Sequence, residues 1–381
     1  MSNAVSTQRS EGDVINLALG HPSPALLPLA MVRRAAAARL SSGDRLVLQY
    51  GLEPGDHGFR TLLGQFLARE GVIAAPVAPE ELFITAGISG ALDLICTVQT
   101  QPGDTVAVED PTYFLADKIF RDHGLRIVTI PTDDLGAVPD EMTKVLAAER
   151  PRLLYLIPAY QNPTGTTLIE ERRQTIAELC REHDTLLLAD EAYHLLGFES
   201  APPRSFATYA AEAPVMALGS FSKILGPGLR LGWVHAAPER LKPLIGSGLY
   251  DSGGGANPFA ASVVRSVLEL GMLAEHLRAL RVNLASRRDA LLSALEDALG
   301  PRYILNRPGG GYFVWVRGPR AIDADALVAA AARRKVGIMP GSRCSPSGSF
   351  SDCLRISFSY YEPPELRQGV QRLAAALELT G

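Results

Sequence analysis

Lys223 stands among groups suited to holding a phosphate ester. Ser220 and Ser222 supply hydroxyls and Arg230 supplies a fixed cation. An amine of this kind can also form a Schiff base with a carbonyl compound. An arbitrary Ser-x-Ser-Lys is ordinarily a surface lysine on a loop. Here Gly226-Pro227-Gly228 interrupts any helix and lets backbone approach a ligand closely, and the run 229–234 reads as a strand beginning at the arginine. A carbonyl and a phosphate ester on one molecule suggest pyridoxal phosphate, PLP.

That cofactor also needs an acid beside its pyridine nitrogen, donors to its phenolic oxygen and usually a ring on its face. Asp190 ends the apolar run 186–189, and a carboxylate there keeps the nitrogen protonated and the ring an electron sink. Tyr193, three residues on, offers a hydroxyl to the phenolic oxygen, and Asn162, in Asn162-Pro163-Thr164-Gly165, offers an amide to the same atom. Tyr113, in Asp110-Pro111-Thr112-Tyr113, follows a strand and can stack on the ring. Near 85–90 a strand gives way to a helix whose free N–H groups, at Ile88 and Ser89, suit a phosphate. Arg355, on the apolar strand 354–358, is the fork expected for a substrate α-carboxylate. Each residue alone has an ordinary structural reading: a cap for Asp190, a tight turn around Asn162, a core ring for Tyr113, a surface cation for Arg355.

The elements that must position these residues alternate along the chain. Short β-rich runs fall at 82–85, 105–109, 126–130, 153–157, 185–190, 215–219 and 231–235, with amphipathic segments such as 89–98 and 168–183 between them. This predicts an α/β fold, a mainly parallel sheet covered on both faces, with the chemistry at the carboxyl ends of its strands. Beyond the glycine-rich 252–255 the pattern changes to a helical region over about 260–299, then strands near 312–316 and 354–358. A smaller α+β domain is expected there. The division is 45–255 for the large domain, with 1–44 and 256–381 forming the small one, onto which the segment 17–40 wraps back.

The 381 residues are 47% hydrophobic and 20% charged, enough for a large core, and 37 basic against 41 acidic residues give a net charge of −4. No basic stripe argues for nucleic acid, and no apolar run approaches a membrane span. The polar N-terminus lacks a signal-peptide core, so a cytoplasmic protein is expected. Cys96, Cys180, Cys344 and Cys353 show neither disulfide nor metal spacing, and neither is expected.

Taken together, the Asn162-Pro163-Thr164-Gly165, Asp190-x-x-Tyr193, Ser220-x-Ser222-Lys223 and Gly228-Leu229-Arg230-Leu231-Gly232 motifs resemble the fold-type-I PLP aminotransferases of class I/II, the group of 2-aminoadipate and kynurenine aminotransferases. The resemblance covers nearly the whole chain. It implies a three-layer large domain plus a smaller one, and ping-pong amino transfer from an L-amino acid to a 2-oxo acid. Lys223 would carry the cofactor and shuttle the proton, and Asp190 would pair with the ring nitrogen. Asn162 and Tyr193 would face the phenolic oxygen and Tyr113 the ring. Ser220, Ser222, Arg230 and the backbone of Ile88 and Ser89 would hold the phosphate. The resemblance further implies a homodimer in which Tyr50 reaches the neighbouring phosphate. Arg355 would fix the α-carboxylate, and Gly20 would lie in the segment lining the entrance.

Two stretches depart from the family pattern. Gly87-Ile88-Ser89-Gly90 replaces the commoner Gly-Ser-Gln-Gln, losing a side-chain hydroxyl at Ile88, and 250–257 is unusually rich in glycine. His21 and Arg343 lie near plausible entrance segments and read as surface residues. Elimination, replacement or amino-acid oxidation on the same cofactor would use the same motifs. A DNA-binding regulator built on this fold would need a basic recognition helix, which the residues before Tyr50 lack.

Overall fold

The computed structural model describes residues 13–379. Its centre is an eight-stranded sheet ordered Leu82–Thr85, Gly232–Ala236, Val215–Ser220, Leu186–Asp190, Leu153–Leu156, Thr105–Asp110, Arg126–Asp133, Gly136–Ala137. The five strands from Val215–Ser220 to Arg126–Asp133 run parallel, while Gly232–Ala236 is antiparallel to both its neighbours.

Alternate residues of these strands enter two separate cores, which is what the period of two demands of a sheet covered on both faces. Leu153, Tyr155, Leu186 and Leu188 join one core, with Phe59, Leu63, Leu92 and Ile95 from the helices His57–Arg69 and Gly87–Gln99. Leu154, Leu156, Leu187 and Ala189 join the other, with Leu146, Ile176 and Ala177 from Pro139–Glu149 and Glu170–Glu182. The result is helix, sheet, helix. Asp190 continues the side of Leu186 and Leu188, which also carries Tyr155.

A second, four-stranded antiparallel sheet orders Ile304–Leu305, Phe313–Arg317, Cys353–Ser357 and Met339–Pro340. The helices Leu273–Leu299 and Pro363–Leu377 pack against each other. The N-terminal strand Ile15–Asn16 pairs in parallel with Val336–Gly337, and Ser357 N–H donates to Leu17 O at 2.8 Å. The N-terminal segment is therefore tied to the strand that carries Arg355.

The helical region expected over 260–299 consists of two helices, Pro258–Glu269 and Leu273–Leu299, separated at Gly271, whose φ of +66° ends the first. One expectation needs correction. No strand begins at Arg230. That residue caps a short 3-10 turn, Pro227–Leu229, at φ +47°, and the strand starts at Gly232. The reason is the left-handed backbone of Arg230, which closes that turn and cannot continue a strand. At the strand's first residue, a Cβ on Gly232 would stand 2.6 Å from Gly219 O and 3.0 Å from Gly87 Cα. Bare backbone there lets three strand ends converge.

Gly232→Ala should therefore cost about 2 kcal/mol, the scale of overpacking against atoms that cannot swing aside. Urea unfolding of the cofactor-free protein measures it.

Candidate active site

The sheet register brings the predicted residues to one edge. Ser220 pairs with Gly232, which pairs with Thr85 on its other side, and Asp190 is level with Leu218. Lys223 follows in the turn after Val215–Ser220, and its Nζ donates to the carbonyl of Gly20 at 2.8 Å. The amine lies 5.8 Å from the ring centre of Tyr193 and 5.5 Å from that of Tyr312. Burial brings it down to about 8, with Asp190 opposing the shift and Arg355 and Arg230 adding to it. An amine in that range can act as a base near neutral pH.

Asp190 is buried at its strand end. Tyr155 Oη donates to its Oδ2 at 2.7 Å, and Ala192 N–H donates to Oδ1 at 3.1 Å. Burial pushes the carboxyl up to about 6; Tyr155, the Ala192 amide and Lys223 pull against it. It is positioned to meet a cationic partner that repays its desolvation. Tyr193 is buried edge-on to Tyr312 and Phe313, with ring centres at 5.4 and 6.0 Å, and burial raises its hydroxyl well above the ordinary value. Tyr113 is half-buried, and burial lifts it to about 12. Both phenols stay protonated donors at neutral pH.

Arg355 is 3% exposed. Its Nη1 donates to Asn162 Oδ1 at 2.9 Å and its Nη2 to Ala18 O at 2.7 Å, while its buried Nε has no partner. The guanidinium lies 4.4 Å over the Phe313 ring, which fixes its plane. Asn162 itself sits in a loop organised by Gln161, whose Oε1 accepts from Thr164 N–H at 2.8 Å.

The phosphate candidates also converge. Ser220 Oγ accepts from Ser222 N–H at 3.0 Å. Arg230 is exposed, and its Nη2 donates to Ala86 O at 3.2 Å, directly before the helix Gly87–Gln99 that contains Ile88 and Ser89. Gly87 has φ +78°, and a Cβ on it would lie 3.1 Å from Arg230 Nη2. Bare backbone, a helix N-terminus, hydroxyls and a cation make an anion cradle.

Over residues 12–373 the chain matches the family model for aminotransferase class I and II. It belongs to that family. It is 32% identical to aromatic-amino-acid aminotransferase 1 of Thermococcus litoralis, over 96% of this chain and 88% of that one. Among solved structures it is similar to the alpha-aminoadipate aminotransferase of Thermus thermophilus complexed with N-(5'-phosphopyridoxyl)-L-leucine. There the TM-score is 0.87 and the identity 32%, over 96% of this chain and 92% of that one. The kynurenine aminotransferase of Pyrococcus horikoshii, in complex with PMP, gives a TM-score of 0.88 at 30% identity, over 100% and 97% of the two chains.

The aminotransferase uses PLP and moves an amino group from an L-amino acid to a 2-oxo acid; elimination, replacement and oxidation are not favoured. Its residues fit that cofactor: a buried carboxylate, a lysine, protonated phenols and the cradle at Gly87 face the same strand ends. Among the described residues no helix is long and apolar enough to cross a membrane, and no group of side chains suits a metal ion. All four cysteines are buried free thiols. Tyr50, 76% exposed, meets none of these groups in its own chain. Arg343 pairs with Asp325 at 2.8 Å. His21 is half-buried, and burial together with Lys223 and Arg355 lowers its imidazole, so it is no plain surface residue.

Sequence reasoning missed Tyr155 and Glu109. Glu109, buried, accepts from Ile157 N–H at 2.8 Å, and burial raises its carboxyl to about 8. A tyrosine and a glutamate inside otherwise apolar strands were signals that buried polar groups need partners.

The lowered Lys223 value has a stability consequence in the cofactor-free protein. Between 8 and the ordinary 10.5 the unfolded chain binds the proton and the folded chain does not. The lysine therefore costs stability below pH 8, and the loss is recovered as pH rises toward 10.5. Lys223→Met should stabilise the cofactor-free protein by about 1 kcal/mol at pH 7, less than the whole amine penalty because Asp190 loses a counter-charge. The gain should fade by pH 10 in urea melts.

Proposed function

We propose that Lys223 holds PLP through its amine and then serves as the base that removes the α-proton of the bound amino acid. The observation that carries this reading is the placement of the half-buried Lys223 amine, bonded to Gly20 O at 2.8 Å beside the Tyr193 and Tyr312 rings, where Asp190 faces it and desolvation brings it down to about 8. PLP supplies the electron sink for the pair left at the substrate Cα. Asp190 pairs with the ring nitrogen, and the buried Tyr155 hydroxyl holds its carboxylate in place. Asn162 and Tyr193 donate to the phenolic oxygen, and Tyr113 covers the ring. Ser220, Ser222, Arg230 and the amides of Ile88 and Ser89 bind the phosphate. Arg355 binds the substrate α-carboxylate, with its guanidinium oriented by Asn162 and Ala18. The segment at Gly20 keeps water from the amine side.

A two-domain chain, divided near 44 and 255, acting in the cytoplasm is part of the same reading. So is a homodimer. Leu29, Leu46, Leu48, Tyr50 and Leu249 are each more than 70% exposed, an apolar set that a second copy would cover. Tyr50 would then reach the partner's phosphate.

An L-amino acid alone should change the cofactor absorbance and a 2-oxo acid should restore it; ammonia released catalytically without any acceptor would instead indicate elimination. Lys223→Ala should lack the borohydride-reducible linkage to the cofactor, and full turnover by that variant would falsify the assignment. For the shared site, mixing inactive Lys223→Ala with inactive Tyr50→Ala protein should restore about a quarter of the activity per site, because a two-fold dimer rebuilds one intact site in each hybrid. No recovery after subunit exchange would refute the crossing.

A further inference from the structure

The loop that presents Asn162 is closed at its base by a residue that no role above uses. Arg173, in the first turn of Glu170–Glu182, is fully buried at 0% exposure. Its Nη2 donates to Pro158 O at 2.7 Å and its Nε to Leu168 O at 3.0 Å, so one guanidinium bridges both ends of the loop that contains Asn162. Leu168 N–H adds a bond to Pro158 O at 3.0 Å. The third contact, Nη1 to Arg204 O at 2.9 Å, reaches a different segment, and the guanidinium lies 5.4 Å over the Phe206 ring.

That segment is gripped from its other side by Glu191, whose Oε1 accepts from Phe206 N–H at 2.9 Å and whose carboxylate bonds Ser205. Glu191 is buried directly between Asp190 and Ala192, in the turn that ends with Tyr193. A continuous chain thus runs from the Asn162 loop through Arg173, Arg204–Phe206 and Glu191 to the turn of Asp190 and Tyr193. Five N–H donors in a rigid fork can satisfy three carbonyls at once, which a lysine ammonium cannot do with the same geometry. A fully buried cation is costly unless it is paired and hydrogen-bonded, and here the attraction of Glu191 opposes the burial.

We infer that Arg173 is a positioning residue: with Glu191 it locks the Asn162 loop to the Asp190–Tyr193 turn and so sets the joint geometry of the two donors to the phenolic oxygen. The inference rests on the proposed placement of Asn162 and Tyr193 at that oxygen. Donors to a deprotonated oxygen lower the pH at which the bound cofactor's absorption band titrates, so loosening them raises it.

The test is the pH titration of that band in purified holoenzyme for the parent, Arg173→Lys, Glu191→Gln, Asn162→Ala and Arg60→Lys. Arg60 is a buried arginine that also donates to backbone carbonyls, at Gly55 and Pro79, away from this loop. Arg173→Lys should raise the midpoint by about one pH unit, the loss of roughly one charge-assisted hydrogen bond. Glu191→Gln, which keeps an acceptor for Phe206 N–H, should move it in the same direction and carries the test if Arg173→Lys does not fold. Arg60→Lys should lower the melting temperature without moving the midpoint. A parental midpoint in the folded Arg173 or Glu191 variant, with Asn162→Ala shifted, overturns the inference. An unshifted Asn162→Ala refutes instead the placement of Asn162. A shift in Arg60→Lys equal to that of Arg173→Lys would mark a general loss of stability and also overturn it.

Discussion

Two opposite charges at adjacent strand ends, Asp190 buried and Lys223 half-buried, set the terms for the whole molecule. Burial drives Asp190 up to about 6 and Lys223 down to about 8, each partly restrained by the other. Neither group is at ease in the cofactor-free chain. The fold spends stability to keep both desolvated, which a catalytic site does and a solvated surface pair does not. Tyr155 and the Ala192 amide hold the carboxylate, and the Gly20 carbonyl holds the amine. A cationic ring nitrogen against Asp190 and a covalent bond at Lys223 would relieve both at once.

The surrounding architecture serves that pair through close approach. Antiparallel Gly232–Ala236 is inserted between Leu82–Thr85 and Val215–Ser220, so the phosphate candidates from three strand ends meet where Gly87 and Gly232 carry no side chain. On the other side Arg355 links the small sheet to Asn162 and, through Ala18, to the N-terminal segment that caps Lys223. The α-carboxylate site proposed at Arg355 would thus be assembled from three distant stretches of chain. Its geometry depends on the two sheets and the N-terminus agreeing.

Asp190 was legible because a carboxylate closing an apolar run has few reasons to be there. Lys223, Asn162 and Tyr193 stood out by the motifs that contain them, and Arg355 as a cation on a largely apolar strand. Tyr155 did not, because its partner lies on the neighbouring strand, a relation that a single sequence does not display. Arg173 was hidden for a different reason: Glu170-Glu171-Arg172-Arg173 reads as a solvated first turn, and only the packed loop turns one of its arginines inward. The start of the strand near Arg230 was misjudged since β propensity from Leu229 onward ignored the left-handed turn that Arg230 closes.

The central claim is that Asp190 supplies the charge that keeps the cofactor ring protonated. Nitrogen-15 NMR of holoenzyme loaded with PLP labelled at the pyridine nitrogen reads this directly. A protonated nitrogen in the parent at pH 8, and an unprotonated one in Asp190→Asn, is the result predicted. An unprotonated ring in the parent, or the same protonated signal in both proteins, would contradict the account.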